Sequence, residues 1–289
     1  MRTAPPVDIV PKTPFFCSWS GGKDCCLALE LSAEAGARPV ALFTVMDETG
    51  ARSHSHGLTL ASLQVQADAL GLPLVVRSAS WATYEDAFLD GLAELRRMGI
   101  VDGVFGDMSV AGHPEWVAHR TWVERVSSTA DETPHLPLWD MGGEAVLASQ
   151  LQHHIHAVIV MTRDAAVGQT FLGRTLDEAC IEELRTVGCD STGEGGELHT
   201  VVTSAPSFAF ALRLVTGAVT AHDGCHFLAV ELERPRLPVA SRNAASSIPA
   251  VWVVGGALQT MALPSIGMAR RRGTISDAGE RECEVAGSP

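Results

Sequence analysis

The sequence predicts an α/β fold, a parallel sheet with helices on both faces. Three observations lead there. Short apolar runs alternate with helix-forming stretches through about the first 190 residues, the order of βαβ units. The runs are continuously apolar, as strands buried on both faces are. Polar or glycine-bearing segments follow them, where a chain would leave the sheet. Towards the end the period becomes alternating, so a small C-terminal β-hairpin region is expected as well.

The first strand opens at Phe15-Phe16-Cys17, breaks at Ser20-Gly21-Gly22 and resumes as a helix through Leu27-Ala28-Leu29-Glu30-Leu31 to Gly36. Pro39 to Val45 is the second strand, and the polar segment Met46 to Leu58, with His54 and His56, is a loop at its C-terminal end. Ligands of open α/β sheets sit at that end. Ala61 to Leu70 is a helix closed by Gly71, and Pro73 to Arg77 the third strand. Tyr84 to Met98 is amphipathic, with Phe88, Leu92 and Leu95 on one side. Val101 to Phe105 is the fourth strand, ending at Gly106-Asp107, and Pro114 to Val126 a helix with proline in its first turn. Leu136 to Trp139 is a rigid connector, Glu144 to Gln152 a helix, Ala157 to Met161 the fifth strand and Leu176 to Val187 a further helix. Phe210 to Thr220 and Phe227 to Glu233 alternate around His222-Asp223-Gly224, a hairpin signal.

Composition sets limits. No apolar run approaches the roughly 20 residues of a membrane span, and Met1 to Pro14 has no hydrophobic signal core. Seven cysteines without a C-x-x-C pair read as reduced thiols of a cytoplasmic protein. The net charge of −13 argues against a general nucleic-acid binder. That charge is uneven: from Arg234 onward the net is +3, which leaves −16 for the rest. The expected organisation is an N-terminal extension (1–14), one domain (15–233) and a poorly ordered tail (234–289) with Arg270-Arg271-Arg272 and an apolar stretch Ala250 to Leu263.

Strand, glycine turn and helix at Phe15 to Leu31 aim backbone N–H groups and a helix N-terminus at one point, which attracts phosphate. Gly21 and Gly22 permit close approach, Lys23 adds positive charge, and Asp24 offers a carboxylate to magnesium. The chain has only two lysines, Lys12 and Lys23, so the loop lysine is not background. Cys17 stands where a Walker loop needs glycine. Ser20-Gly21-Gly22-Lys23-Asp24-Cys25 instead resembles the S-G-G-K-D-[ST] loop of the PP-loop ATP pyrophosphatases, with Cys25 in place of Ser or Thr. The resemblance implies a Rossmann-like domain that binds ATP and opens it at the α-phosphate.

The second unusual stretch is Asp190 to Thr200, with three glycines, two glutamates and a histidine, and no regular element is expected in it. Such a loop is a candidate for acid–base chemistry. It resembles the G-E-x-G-E-[FY]-[HE]-T signature of the diphthine–ammonia ligase family, with Leu198 replacing the aromatic and His199 standing where Glu is frequent. Gln66 to Leu74 after His56, Gly103 to Asp107, Pro137-Leu138-Trp139 and Leu172-Gly173-Arg174 agree, in family order.

The resemblance implies a ligase that uses ATP and Mg2+ to adenylate a carboxylate, diphthine on the translocation elongation factor in family members, before ammonium displaces AMP. It implies a phosphate site of Ser20, Gly21, Gly22, Lys23, Asp24 and Cys25, and acyl-transfer chemistry at Glu194, Glu197 and His199. Asp24 and Asp107 would hold magnesium, Asp107 also nucleotide, and Arg174 would offset negative charge. Expected partners are ATP, ammonium and a carboxylate acceptor carried on a protein. Two alternatives stay open. Cys25 and Cys26, at a helix N-terminus where thiolates are favoured, suit sulfur transfer to RNA. A nucleotide-binding sensor would need the phosphate loop alone.

Overall fold

A computed structural model describes residues 7–54, 56–109, 114–165 and 167–235. Five strands form a parallel sheet in the order β3-β2-β1-β4-β5: β1 Pro14–Ser18, β2 Arg38–Met46, β3 Leu74–Ser78, β4 Asp102–Val104 and β5 Thr133–His135. Helices α1 (Lys23–Glu34) and α2 (Leu60–Leu70) cover one face, α3 (Tyr84–Arg97) and α4 (Pro114–Thr129) the other. Both faces are therefore dry. Alternate residues of β1 divide between them: Phe15 and Cys17 join the core with α1 and α2, and Phe16 the core with Phe43, Phe88 and Phe105. The predicted fold class is the observed one.

A second sheet, antiparallel in the order β7-β6-β9-β8, contains β6 (His156–Arg163), β7 (Leu198–Ser204), β8 (Arg213–His222) and β9 (Cys225–Glu233). The expected hairpin is β8–β9, turned at Asp223-Gly224. It is joined to β6 rather than standing alone. Val201, Val202, Val230 and Leu232 of this sheet share one core with Leu27 and Leu31 of α1 and Leu63 of α2. Helices α5 (Gly143–Gln152) and α6 (Glu178–Thr186) cover Ile159 on the other face.

Two strand-level expectations are corrected. Ala157 to Met161 belongs to the antiparallel sheet, and the fifth parallel strand is Thr133–His135. Burial of β6 on both faces, by α1's core on one side and α6's on the other, produces the continuous apolar run of a parallel strand. The true fifth strand has three residues, with Pro134 tolerated because β5 is an edge. The acidic stretch also runs into regular structure, since Leu198, His199 and Thr200 open β7.

Within the expected N-terminal extension, Ile9 is buried in the core and Lys12 donates its backbone N–H to the Gly36 carbonyl at 2.7 Å. The tail beyond residue 235, with the Ala250 to Leu263 stretch and the arginine triplet, lies outside the described residues. No described helix is long and apolar enough to cross a membrane.

Candidate active site

The turn from β1 into α1 is fixed from three sides. Gln66, fully buried on α2, accepts from Trp19 Nε1 at 3.0 Å and donates to the carbonyls of Gly21 (3.0 Å) and Val202 (2.8 Å), so one amide ties the turn to α2 and β7. The glycines are sterically required. Gly21 has φ +83°, and a Cβ there would stand 2.7 Å from Gln66 Oε1. A Cβ at Gly22 would stand 2.4 Å from the His56 ring. Gly22 precedes α1 without a side-chain cap, which leaves helix N–H groups for an anion.

Lys23, the first residue of α1, is 4% exposed. Its backbone N–H donates to Thr200 Oγ1 at 3.1 Å. Its Nζ lies 2.6 Å from Asp24 Oδ2 and 4.0 Å from Glu194 Oε1. Burial works against the charge, but Asp24, Glu194 and Asp190 outweigh it, so the lysine pKa is raised. Asp24 also accepts from Gln150 Nε2 of α5 at 3.0 Å. Glu194 is held well above the ordinary carboxylate range, by burial first and then by Asp24, with Asp107 and Asp190 adding to it against Lys23.

The acidic loop is shaped by Asp190, which accepts from Thr192 N (2.9 Å) and Thr192 Oγ1 (2.7 Å). Arg163 Nε secures its far end by donating to the Gly196 carbonyl at 3.1 Å. Strand β7 then carries His199 and Thr200 back beneath Lys23. His56 Nδ1 is 2.7 Å from the Thr200 carbonyl, so Nδ1 carries the proton and Nε2 the lone pair. The His56 and His199 rings are 4.7 Å apart. Burial lowers both pKa values, and for His199 the nearby His56, Lys23 and Arg163 lower it further. Both rings are neutral at pH 7.

These groups converge on a cavity of about 580 Å³. Of the predicted site residues, Ser20, Lys23, Asp24, Cys25, Asp107, Glu194 and His199 line it, and Gly21 and Gly22 form the turn behind. Asp107 sits 3.0 Å from His119 Nδ1, and this bond raises the histidine's pKa. Besides these glycines, two predicted residues are not among the lining groups. Arg174 makes a two-pronged ion pair with Glu183 (2.6 and 2.9 Å) and lies over the Phe171 ring, so its charge is spent on α6. Glu197 is tucked under Gly195, where a Cβ would stand 2.3 Å from its Oε1, and its Oε2 is buried with no hydrogen-bond partner among the described residues. The thiolate expectation for Cys25 and Cys26 is also corrected: both are buried, and desolvation raises both thiol pKa values.

Four contributors have no role in the sequence motifs: His56, Gln66, Gln150 and Thr200. His56 carried a positional signal, a polar loop at the C-terminal end of a strand. The other three act through buried hydrogen bonds between distant segments, which no local pattern announces.

A magnesium ion fits this chemistry. Asp24, Asp107 and Glu194 share one cavity with a single lysine ammonium; burial first, and then the neighbouring carboxylates, raise Glu194, and a cation relieves the second of these. Among the described residues no group of three or more His, Cys, Asp or Glu could hold a metal alone, so phosphate oxygens would complete the shell.

Comparison with known families gives two matches in chain order. The model of the diphthamide synthase N-terminal domain matches residues 15–130, and that of the diphthamide synthase C-terminal domain residues 144–233. No curated protein matches the chain. Among matching solved structures is a predicted subunit of tRNA methyltransferase from Methanocaldococcus jannaschii. It has 14% identity and a TM-score of 0.35, over 67% of this chain and 98% of that one.

Proposed function

The chain belongs to the diphthamide synthase family, and from that premise we propose that it is an AMP-forming ligase joining a protein-borne, diphthine-like carboxylate to ammonium. The observation that carries this reading is the shared cavity. The start of α1 with Lys23, and the acidic loop with Glu194 and His199, face the same space.

In this reading the α1 N-terminus and Lys23 hold the β- and γ-phosphates, leaving the α-phosphate open. A carboxylate oxygen attacks the α-phosphorus, the bond to the bridging oxygen breaks, and pyrophosphate leaves with the electron pair. Ammonium gives up a proton, and its nitrogen attacks the acyl carbon. The bond to the AMP oxygen breaks, AMP leaves with that pair, and the nitrogen loses a second proton to give the amide. His56 and His199, neutral and side by side on the cavity wall, serve as the proton acceptors. Magnesium, held by Asp24 and Asp107, would supply charge neutralisation at the phosphates. The buried, protonated thiols of Cys25 and Cys26 give sulfur transfer no comparable support.

The test is a reaction of the full chain with ATP, magnesium, ammonium and an elongation factor bearing diphthine. Mass spectrometry should find the acid converted to the amide, and Lys23→Ala should abolish the conversion. An unmodified factor under saturating conditions would remove this acceptor from the proposal.

A further inference from the structure

We propose that a second cavity, on the far side of His56, receives the carboxylate-bearing side chain of the acceptor; this rests on the ligase reading above. The cavity is about 400 Å³ and lies between the loop after β2 and the β8–β9 hairpin. His56 is a wall of both cavities. The same ring abuts Gly22 of the phosphate loop, so a group entering along the hairpin reaches the phosphates past one side chain.

Charge distinguishes the two approaches. The phosphate cavity presents Asp24 and Asp107 against the one ammonium of Lys23, and in the proposed reaction the polyphosphate fills it, so an incoming carboxylate meets like charge there. The hairpin cavity presents the guanidinium of Arg52, with the imidazole rings of His54, 2.8 Å from the Ala79 carbonyl, and His222, 3.5 Å from Asp223, beside it. Arg52 donates through Nη1 to the Gly57 carbonyl at 2.7 Å, and among the described residues no carboxylate is paired with it. Its remaining N–H groups suit a carboxylate. Asp47, on the same wall, is turned into its own loop, accepting from Thr49 N, Thr49 Oγ1 and Ala51 N at 3.1, 2.7 and 3.0 Å. His222 and Phe227 stack at 4.3 Å with 6° between planes, a flat wall for the non-polar stem of a side chain.

Two variants test the assignment. Arg52→Ala removes the anchor, and Thr220→Trp fills the cavity from an exposed position of β8 opposite Phe227. With the diphthine-bearing factor as acceptor, each should raise the KM for that factor about tenfold, with ATP affinity and kcat unchanged. An unchanged KM in both overturns the proposal. If the parent releases no AMP with this factor, the ligase reading has failed, and the cavity is judged separately by NMR titration with glutarate. Glutarate should shift the His54 and His222 ring signals in the parent but not in Arg52→Ala or Thr220→Trp. No shift in the parent, or the same shift in both variants, shows that the cavity is not a carboxylate site.

Discussion

The phosphate loop, Ser20 to Cys25, is held by other elements, whereas the acidic loop, Asp190 to Gly196, is held largely by its own turn. Gln66 from α2, Thr200 from β7 and Gln150 from α5 all bond into the first. The second relies on Asp190 and Thr192, with Arg163 as an outside tether. The contrast follows from what each must do. Binding a polyanion needs donors aimed before the ligand arrives, so the cradle is locked. In the proposed reaction the loop that places Glu194 beside Lys23 would bring in the nucleophile, which needs room for charge to change. The raised Glu194 carboxyl is the sign of that.

The sharpest way to break the comparison is to unlock the cradle. Lys23→Ala leaves Asp24 and Glu194 facing each other with no ammonium between them. Removing one partner of a buried pair costs roughly 3–5 kcal/mol, so both ATP affinity by calorimetry and melting temperature should fall steeply. Unchanged ATP affinity would end the phosphate-loop assignment. Next is Gly22→Ala, whose Cβ displaces the His56 ring. ATP binding should weaken and the His56–Thr200 bond be lost, while the same change at exposed Gly99, where nothing is near the added Cβ but φ is +79°, affects stability alone.

Much of this was legible in the sequence, and the limits are physical. The cradle is local: strand, glycines, lysine and helix are consecutive, so the sequence pattern carries it. What locks it is not local. Gln66 and Thr200 lie 45 and 177 residues from their partners Gly21 and Lys23. Strand β5 leaves no mark in the sequence because three residues with a proline make no pattern, and β6 reads as a parallel strand because it is buried on both faces. The two glutamates of the acidic loop look alike in sequence. Only the fold separates Glu194, which lines the cavity, from Glu197, which lies beneath Gly195.

That separation yields the smaller effects. Glu194→Gln should leave ATP affinity intact and slow turnover about tenfold to a hundredfold, the value of one hydrogen bond to a charged group. It should also change the pH dependence of stability. A carboxyl whose folded pKa is raised contributes stability below the ordinary glutamate value and loses it as pH rises through the folded value. Thermal melts should therefore show Glu194→Gln gaining on the parent as pH rises across that window, and parallel profiles would contradict the burial argument. Glu197→Gln should change turnover least. Its amide gives the buried Oε2 position a donor or an acceptor, with about 1 kcal/mol at stake in stability.

The central claim is that cradle and acidic loop serve one reaction at the α-phosphate, and the nucleotide product tests it most directly. With ATP labelled at the α-phosphate, magnesium, ammonium and the diphthine-bearing factor, chromatography should show AMP forming in step with pyrophosphate and amide. It should show Glu194→Gln releasing AMP at a tenth of the parental rate or less. Labelled ADP as the product, or AMP released at the parental rate by Glu194→Gln, would contradict the account.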